Sequence, residues 1–457
     1  MLFRGDFVSS KRLGDLQILH DHLVAVNEQG VITHSEPATS ASSRHLLQSD
    51  EPKTEIPPGS FLIPTFCDLH LHAPQYLYQG TGLHLPLMEW LNQYAFKAEE
   101  RIDGDPVLAQ RVYERLAERL LESGTGAVVL FGTINENANI ILAKAMLSRG
   151  LRAYVGKLSM DISSRPTYKE ASAQDSLTNA MSFVNNCRAL CSDLPETLRT
   201  VEPILTPRFV PTCSDKLLTG LGELARDKQL RVQSHLAEAH DQVQWVLQER
   251  GVEDIEVFER NGLLTSRTIQ AHCTFLPPPS LHKLAHHGTS VAHCPLSNAY
   301  FSAEPFRLRE ALDIGVRVGL GTDIAGGYSI DIMQAMRQAV TVSRMREGQR
   351  VIRGDEGRAL SIDWKEALFL ATKGGAEAMG IQSGIGTFTV SSPFDAQLVR
   401  LITVGGTGVG SLDFFDSQTV GGKWVLTEEL VEKWWCLGDE RNREGIWIQG
   451  RKVWPER

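Results

Sequence analysis

The sequence predicts an α/β protein: a (β/α)8 TIM-like barrel with a small β-sandwich domain built from both termini. Three observations predict it. Eight short apolar runs alternate with helical stretches through the middle of the chain. Both ends read instead as short strands separated by turn residues. Several of the eight runs finish on a histidine or an aspartate, as expected of a barrel that carries its chemistry at the C-terminal ends of its strands.

The elements follow in order. Residues 1–63 hold Leu16-Gln17-Ile18-Leu19-His20 and Leu23-Val24-Ala25-Val26, then the turn Glu28-Gln29-Gly30 and Val31-Ile32, a hairpin-like pattern. The polar stretch from Ser40 to about Ser49 reads as a loop. Residues 64–384, with the run that enters them, form the alternating middle. Its candidate strands are 61–67, 126–131, 153–158, 201–206, 231–235, 268–272, 290–293 and 316–321. The clearest helix opens on Asp105 as N-cap with Pro106 behind it. It carries Leu108, Val112, Leu116 and Leu120 at a spacing of four and ends near Gly124. Residues 385–457 return to strands at 395–399 and 446–450, so they join 1–63 in the small domain. The glycines of Gly405-Gly406-Thr407-Gly408-Val409-Gly410 lack dinucleotide-binding spacing and read as a flexible loop.

Composition narrows the function. The 457 residues carry 46 basic and 55 acidic side chains, a net charge of −9. That balance offers no attraction to nucleic acid or to an anionic membrane, and a small neutral substrate fits better. The seven cysteines are odd in number and never paired as C-x-x-C, so reduced thiols in a cytoplasmic protein are expected. Met1-Leu2-Phe3-Arg4-Gly5-Asp6 meets charge at once, and no apolar run approaches the roughly 18 residues of a membrane span. The sequence therefore predicts neither a signal peptide nor a membrane anchor.

The chemistry sits at the strand ends. The first run leads into Asp68-Leu69-His70-Leu71-His72, and in an extended chain residues two apart face one side. Later runs end at His235, His272, His293 and Gly321-Thr322-Asp323. A barrel would gather these distant residues on one face, and neutral imidazoles with one carboxylate suit zinc. Each piece alone is weak, because a lone histidine is more often a hydrogen-bonded core residue. Their joint order carries the inference. There is no H-E-x-x-H and no phosphate-binding G-x-x-x-x-G-K-[ST]. His34-Ser35-Glu36 begins the pattern of base-flipping deaminases, but no P-C-x-x-C follows it.

At these residues the sequence resembles the amidohydrolase superfamily of metal-dependent hydrolases, and within it the guanine deaminase family, over nearly its whole length. The motifs run from Pro64 through His70-Leu71-His72-Ala73-Pro74-Gln75-Tyr76, then Leu85-Pro86-Leu87-Met88-Glu89-Trp90-Leu91 and Val155-Gly156-Lys157. Thr206-Pro207-Arg208-Phe209, Gln233-Ser234-His235-Leu236-Ala237-Glu238, Ala292-His293-Cys294-Pro295 and Thr322-Asp323-Ile324-Ala325-Gly326-Gly327 complete them. Leu69 and Pro74 depart from the family's more usual Thr and Ser. The resemblance implies hydrolysis of guanine to xanthine and ammonia by a homodimer.

It also implies one zinc per chain, held by His70, His72, His235 and Asp323, which lowers the pKa of its water from about 15.7 toward 7. Asp323 would take the water's proton as C2 is attacked, Glu238 would protonate N3 and the leaving amine, and His272 would bond the new oxygen. Substrate contacts are expected at His72, Ala73, Pro74, Gln75, Arg208, Phe209, His235, Leu236, Ala237, Glu238 and Asp323. Two-metal members commonly place a bridging lysine at the end of strand four. Here Lys157 follows strand three, and strand four ends in Thr206-Pro207-Arg208. Two alternatives stay open: an aminohydrolase or chlorohydrolase acting on another heteroaromatic amine, and a metal-free scaffold barrel.

Overall fold

The computed structural model describes residues 1–381, 384–401, 419–420 and 423–455. The glycine string 405–410 lies outside them.

The two ends of the chain meet in one mixed eight-stranded sheet. Five of its strands precede residue 65: Leu2–Ser9, Gln17–Val26, Ile32–Pro37, Lys53–Glu55 and Ser60–Pro64. Ala396–Arg400, Arg443–Ile448 and Arg451–Trp454 complete it. The termini join where Ser60–Pro64 pairs antiparallel with Ala396–Arg400. Aromatic packing seals the join: Phe3 stacks on Phe394 at 4.4 Å and meets the edge of Trp447 at 5.5 Å. The sequence suggested a sandwich. The described strands are instead continuous, because Leu2–Ser9 pairs with Gln17–Val26, Lys53–Glu55 and Ser60–Pro64.

Two sequence expectations are corrected here. The apolar run 61–67 spans two strands, with Ser60–Pro64 in the terminal sheet and Phe66–His72 in the central layer. The stretch after Ser40 is a helix, Ala41–Leu47, because the Ser40 side chain accepts from the Ser43 N–H and caps it.

The eight strands of the middle are β1 Phe66–His72, β2 Thr125–Phe131, β3 Arg152–Gly156, β4 Val201–Pro203, β5 Val232–Leu236, β6 Thr268–His272, β7 Ser290–His293 and β8 Val318–Leu320. They form two parallel sheets, ordered β4-β3-β2-β1 and β5-β6-β7-β8. A parallel bridge from Leu205 to Val232 links the sheets on one side. On the other, Asp323 N–H donates to the His70 carbonyl at 2.8 Å and His72 N–H to the Ile324 carbonyl at 3.2 Å. The helix expected after Asp105 runs Pro106–Glu122, and the Asp105 carboxylate accepts from the N–H groups of Val107 and Leu108.

A bulge in β1 decides where the histidines point. Asp68 pairs with Val128 but Leu71 with Leu130, so β1 carries one extra residue. Cys67 and Leu69 cluster with Ala127 and Val129. Beyond the bulge, His70 and His72 pack on Phe131, with centroids 4.8 and 4.7 Å away. Simple alternation would have set His70 opposite to Leu69. The bulge puts both on the face of Val129 and Phe131.

Candidate active site

Four segments bring His70, His72, His235, His272, Glu238 and Asp323 together. Three overlapping groups among the described residues, His70–His72–His235, His70–His272–Asp323 and His235–Glu238–His272, each have ligand atoms within 4.8 Å of one another. His72 Nε2 lies 2.9 Å from His235 Nε2, and Asp323 Oδ1 lies 3.2 Å from His70 Nε2 and 3.8 Å from His72 Nε2. Burial holds His70, His72 and His235 well below the ordinary imidazole pKa, so their nitrogens carry lone pairs. His235 Nδ1 donates to the Arg208 carbonyl at 2.6 Å, which leaves its Nε2 as the free donor atom toward a metal. His70 Nε2 is buried with no hydrogen-bond partner. Unpartnered nitrogens facing a carboxylate suit a divalent cation, and this donor set suits zinc.

Glu238 and His272 stand beside this group. Their closest atoms, Glu238 Oε1 and His272 Nε2, are 3.6 Å apart, and His272 Nε2 is 3.9 Å from Asp323 Oδ2. Asn298 orients His272 from behind through its Oδ1, 2.9 Å from His272 Nδ1. Burial, reinforced by Asp323, pushes the Glu238 carboxyl well above its ordinary range, which favours the protonated acid. Glu238 lies in the turn before the helix His240–Arg250, where Ala237 adopts a left-handed φ of 47°.

These groups open into a cavity lined by His72, Gln75, Arg208, Phe209, His235, Glu238 and Asp323, with Leu87, Trp90, Leu91, Phe301 and Gly326 closing it. Arg208 is 1% exposed, its Nη1 meets Glu99 Oε2 at 2.5 Å, and its Nη2 has no partner.

Ala73, Pro74, Leu236 and Ala237 are buried beside the cavity, and Ala73, Leu236 and Ala237 join the apolar clusters around it. His293 stays apart: it packs on Phe306 at 5.2 Å, and burial pushes its pKa down to about 3. Lys157 is tied to Glu170 at 2.7 Å and to the Leu158 carbonyl at 2.8 Å.

The sequence reading missed Asp68, Glu99 and Asn298. Asp68 pins β1 to the chain after β8: its Oδ1 accepts from His70 N–H at 3.2 Å and Thr322 N–H at 3.0 Å, and its Oδ2 from the Thr322 hydroxyl at 2.5 Å. Asp68→Ala strands three buried donors and should cost about 3–5 kcal/mol of folding stability. Urea unfolding checks this, and a loss below about 1 kcal/mol would mean that water replaces the carboxylate. The one signal for Glu99 is helical spacing, which sets it on the face of Phe96 in the helix Phe96–Gly104.

Known proteins resemble this chain in sequence and fold. The model of the amidohydrolase family matches residues 61–453. Guanine deaminase of Dictyostelium discoideum is 34% identical, over 99% of this chain and 98% of its own. That of Mus musculus is 35% identical, over 100% of this chain and 97% of its own. The solved structure of guanine deaminase from C. acetobutylicum, with guanine bound in the active site, superposes with a TM-score of 0.86 at 27% identity and covers 99% of both chains. The chain belongs to the amidohydrolase family and groups within it with the guanine deaminases.

Proposed function

We propose that this chain is a guanine deaminase that hydrolyses guanine with water to xanthine and ammonia. The observation that carries the reading is a cavity lined by Glu238, Asp323 and Arg208, whose Nη2 is buried without a partner. Its likeness to guanine deaminases along its full length supports the same conclusion.

His70, His72, His235 and Asp323 would hold one zinc, and the overlap of all three ligand groups at one centre supports a single ion. Bound zinc supplies a Lewis acid that brings the pKa of a coordinated water from about 15.7 toward 7. Asp323 takes the proton of the attacking water. Glu238, whose acid form burial favours, protonates N3 as C2 is attacked, so negative charge does not build on the ring. The Glu238 carboxylate so formed takes the proton of the new C2 hydroxyl and passes it to the departing amine, and the proton held by Asp323 restores its acid form. His272, held by Asn298, bonds the new oxygen. Gln75 and Arg208 bind the purine's carbonyl side while Phe209 packs against the ring.

The two parallel sheets are read as halves of one closed barrel (64–384), with 1–63 and 385–457 as a small β domain. No helix among the described residues is long and apolar enough to cross a membrane. The seven cysteines are free thiols, six of them buried, which supports a cytoplasmic setting. A homodimer follows from the family resemblance.

Incubation with a purine and pyrimidine panel tests the function. Guanine should release ammonia at least about 100-fold faster than adenine, because a site built to bond a carbonyl rejects an analogue without it, and faster than cytosine, which lacks the purine's second ring. Equal rates on guanine and adenine would remove the guanine reading and leave the hydrolase class intact.

A further inference from the structure

We propose that Glu99 is a positioning residue for substrate choice, which holds Arg208 and Gln75 so that both present N–H donors to the purine; the inference rests on the guanine reading above. Glu99 is 0% exposed and does not line the cavity, so it can act on substrate only through other side chains. Its Oε2 takes Arg208 Nη1 at 2.5 Å, and its Oε1 lies 3.5 Å from Gln75 Nε2, a long hydrogen bond. One carboxylate thus touches both residues assigned to the carbonyl side of the ring.

The remaining partners fix what those residues offer. The Arg208 guanidinium lies over the Phe96 ring, 4.9 Å from its centroid, on the same helical face as Glu99. Held at Nη1 and stacked on Phe96, it leaves buried Nη2 as a donor without a partner. Gln75 Oε1 accepts from Ala325 N–H at 3.0 Å. Its acceptor is therefore engaged and its amino group turns toward Glu99, which settles the orientation of the amide. Two donors in a cavity of this kind match a ring carbonyl and an unprotonated ring nitrogen. An exocyclic amino group at the same place would set donor against donor.

The test compares the zinc-loaded parent with Glu99→Gln, Arg208→Met and the double variant, on guanine, with 2-aminopurine as competitor because it lacks the 6-oxo group. Glu99→Gln should raise KM for guanine about 10–100-fold, change kcat less than about tenfold, and leave Ki for 2-aminopurine within about threefold. Added to Arg208→Met it should cost less than it does in the parent, because the part that acts through Arg208 is already lost and only the part that acts through Gln75 remains. General damage to the site would weaken both purines alike and would overturn the inference. So would a Glu99→Gln enzyme within threefold of the parent on guanine, or a double variant whose losses multiply. If Glu99→Gln is recovered unfolded, Glu99→Asp carries the comparison: it keeps the charge but withdraws the carboxylate, and the same rise in KM with unchanged Ki is expected. A parent enzyme that leaves guanine intact would remove the substrate reading and this inference together, an outcome distinct from the failure of Glu99 alone.

Discussion

His72→Ala is expected to lose zinc and turnover together, with kcat/KM on guanine falling at least about 10³-fold. His72 Nε2 sits 2.9 Å from His235 Nε2 and 3.8 Å from Asp323 Oδ1, so its imidazole forms one wall of the proposed metal site. Alanine removes a neutral donor, and the residual His70–His235–Asp323 set must close over the gap or fill it with water. The histidine is buried and packs on Phe131, so truncation also leaves a cavity. A melting curve taken alongside separates unfolding from simple loss of the ligand. Metal content by mass spectrometry and ammonia release, measured on one preparation, decide the matter. Full zinc occupancy with parental turnover would sink the ligand assignment.

Glu238→Gln should keep its zinc, keep KM for guanine within a few-fold, and lower kcat by about 10²–10⁴-fold. The amide preserves shape and volume, and Glu238's backbone stays anchored, since its N–H donates to Gln242 Oε1 at 2.8 Å and its carbonyl accepts from the Thr274 hydroxyl at 2.7 Å. What disappears is a transferable proton at a carboxyl whose acid form burial favours. The competing explanation is a buried carboxyl of purely structural use. It predicts a change in melting temperature with kcat nearly unchanged. Turnover within a few-fold of the parent would place the proton shuttle elsewhere. Loss of zinc would instead move Glu238 into the metal shell, a result its position 3.6 Å from His272 makes meaningful.

Chemistry that is local along the chain could be read from the sequence. The H-x-H pair, His235 with Glu238, and Thr322-Asp323 each lie within a few residues, and each occurs where a strand ends. The alternation of strands and helices supplied the reason for their convergence. The Asp105–Pro106 start was equally legible, because an N-cap bonds to its own first turn. Ser40 belongs to the same class, and the helix it caps was missed only because polar composition outweighed the cap.

Tertiary structure alone decided the rest. The division of 61–67 into two strands depends on Ala396–Arg400 pairing with one half and Thr125–Phe131 with the other. The bulge between Asp68 and Leu71 is a relation between two strands, and it sets the face on which His70 appears. Asp68 meets Thr322 across 254 residues and Glu99 meets Arg208 across 109. Nothing around either carboxylate in the chain names its partner, because a buried charge is stabilised by whatever the fold brings to it. The reacting groups were therefore visible in the sequence, while the side chains that aim them emerged only when distant segments packed together.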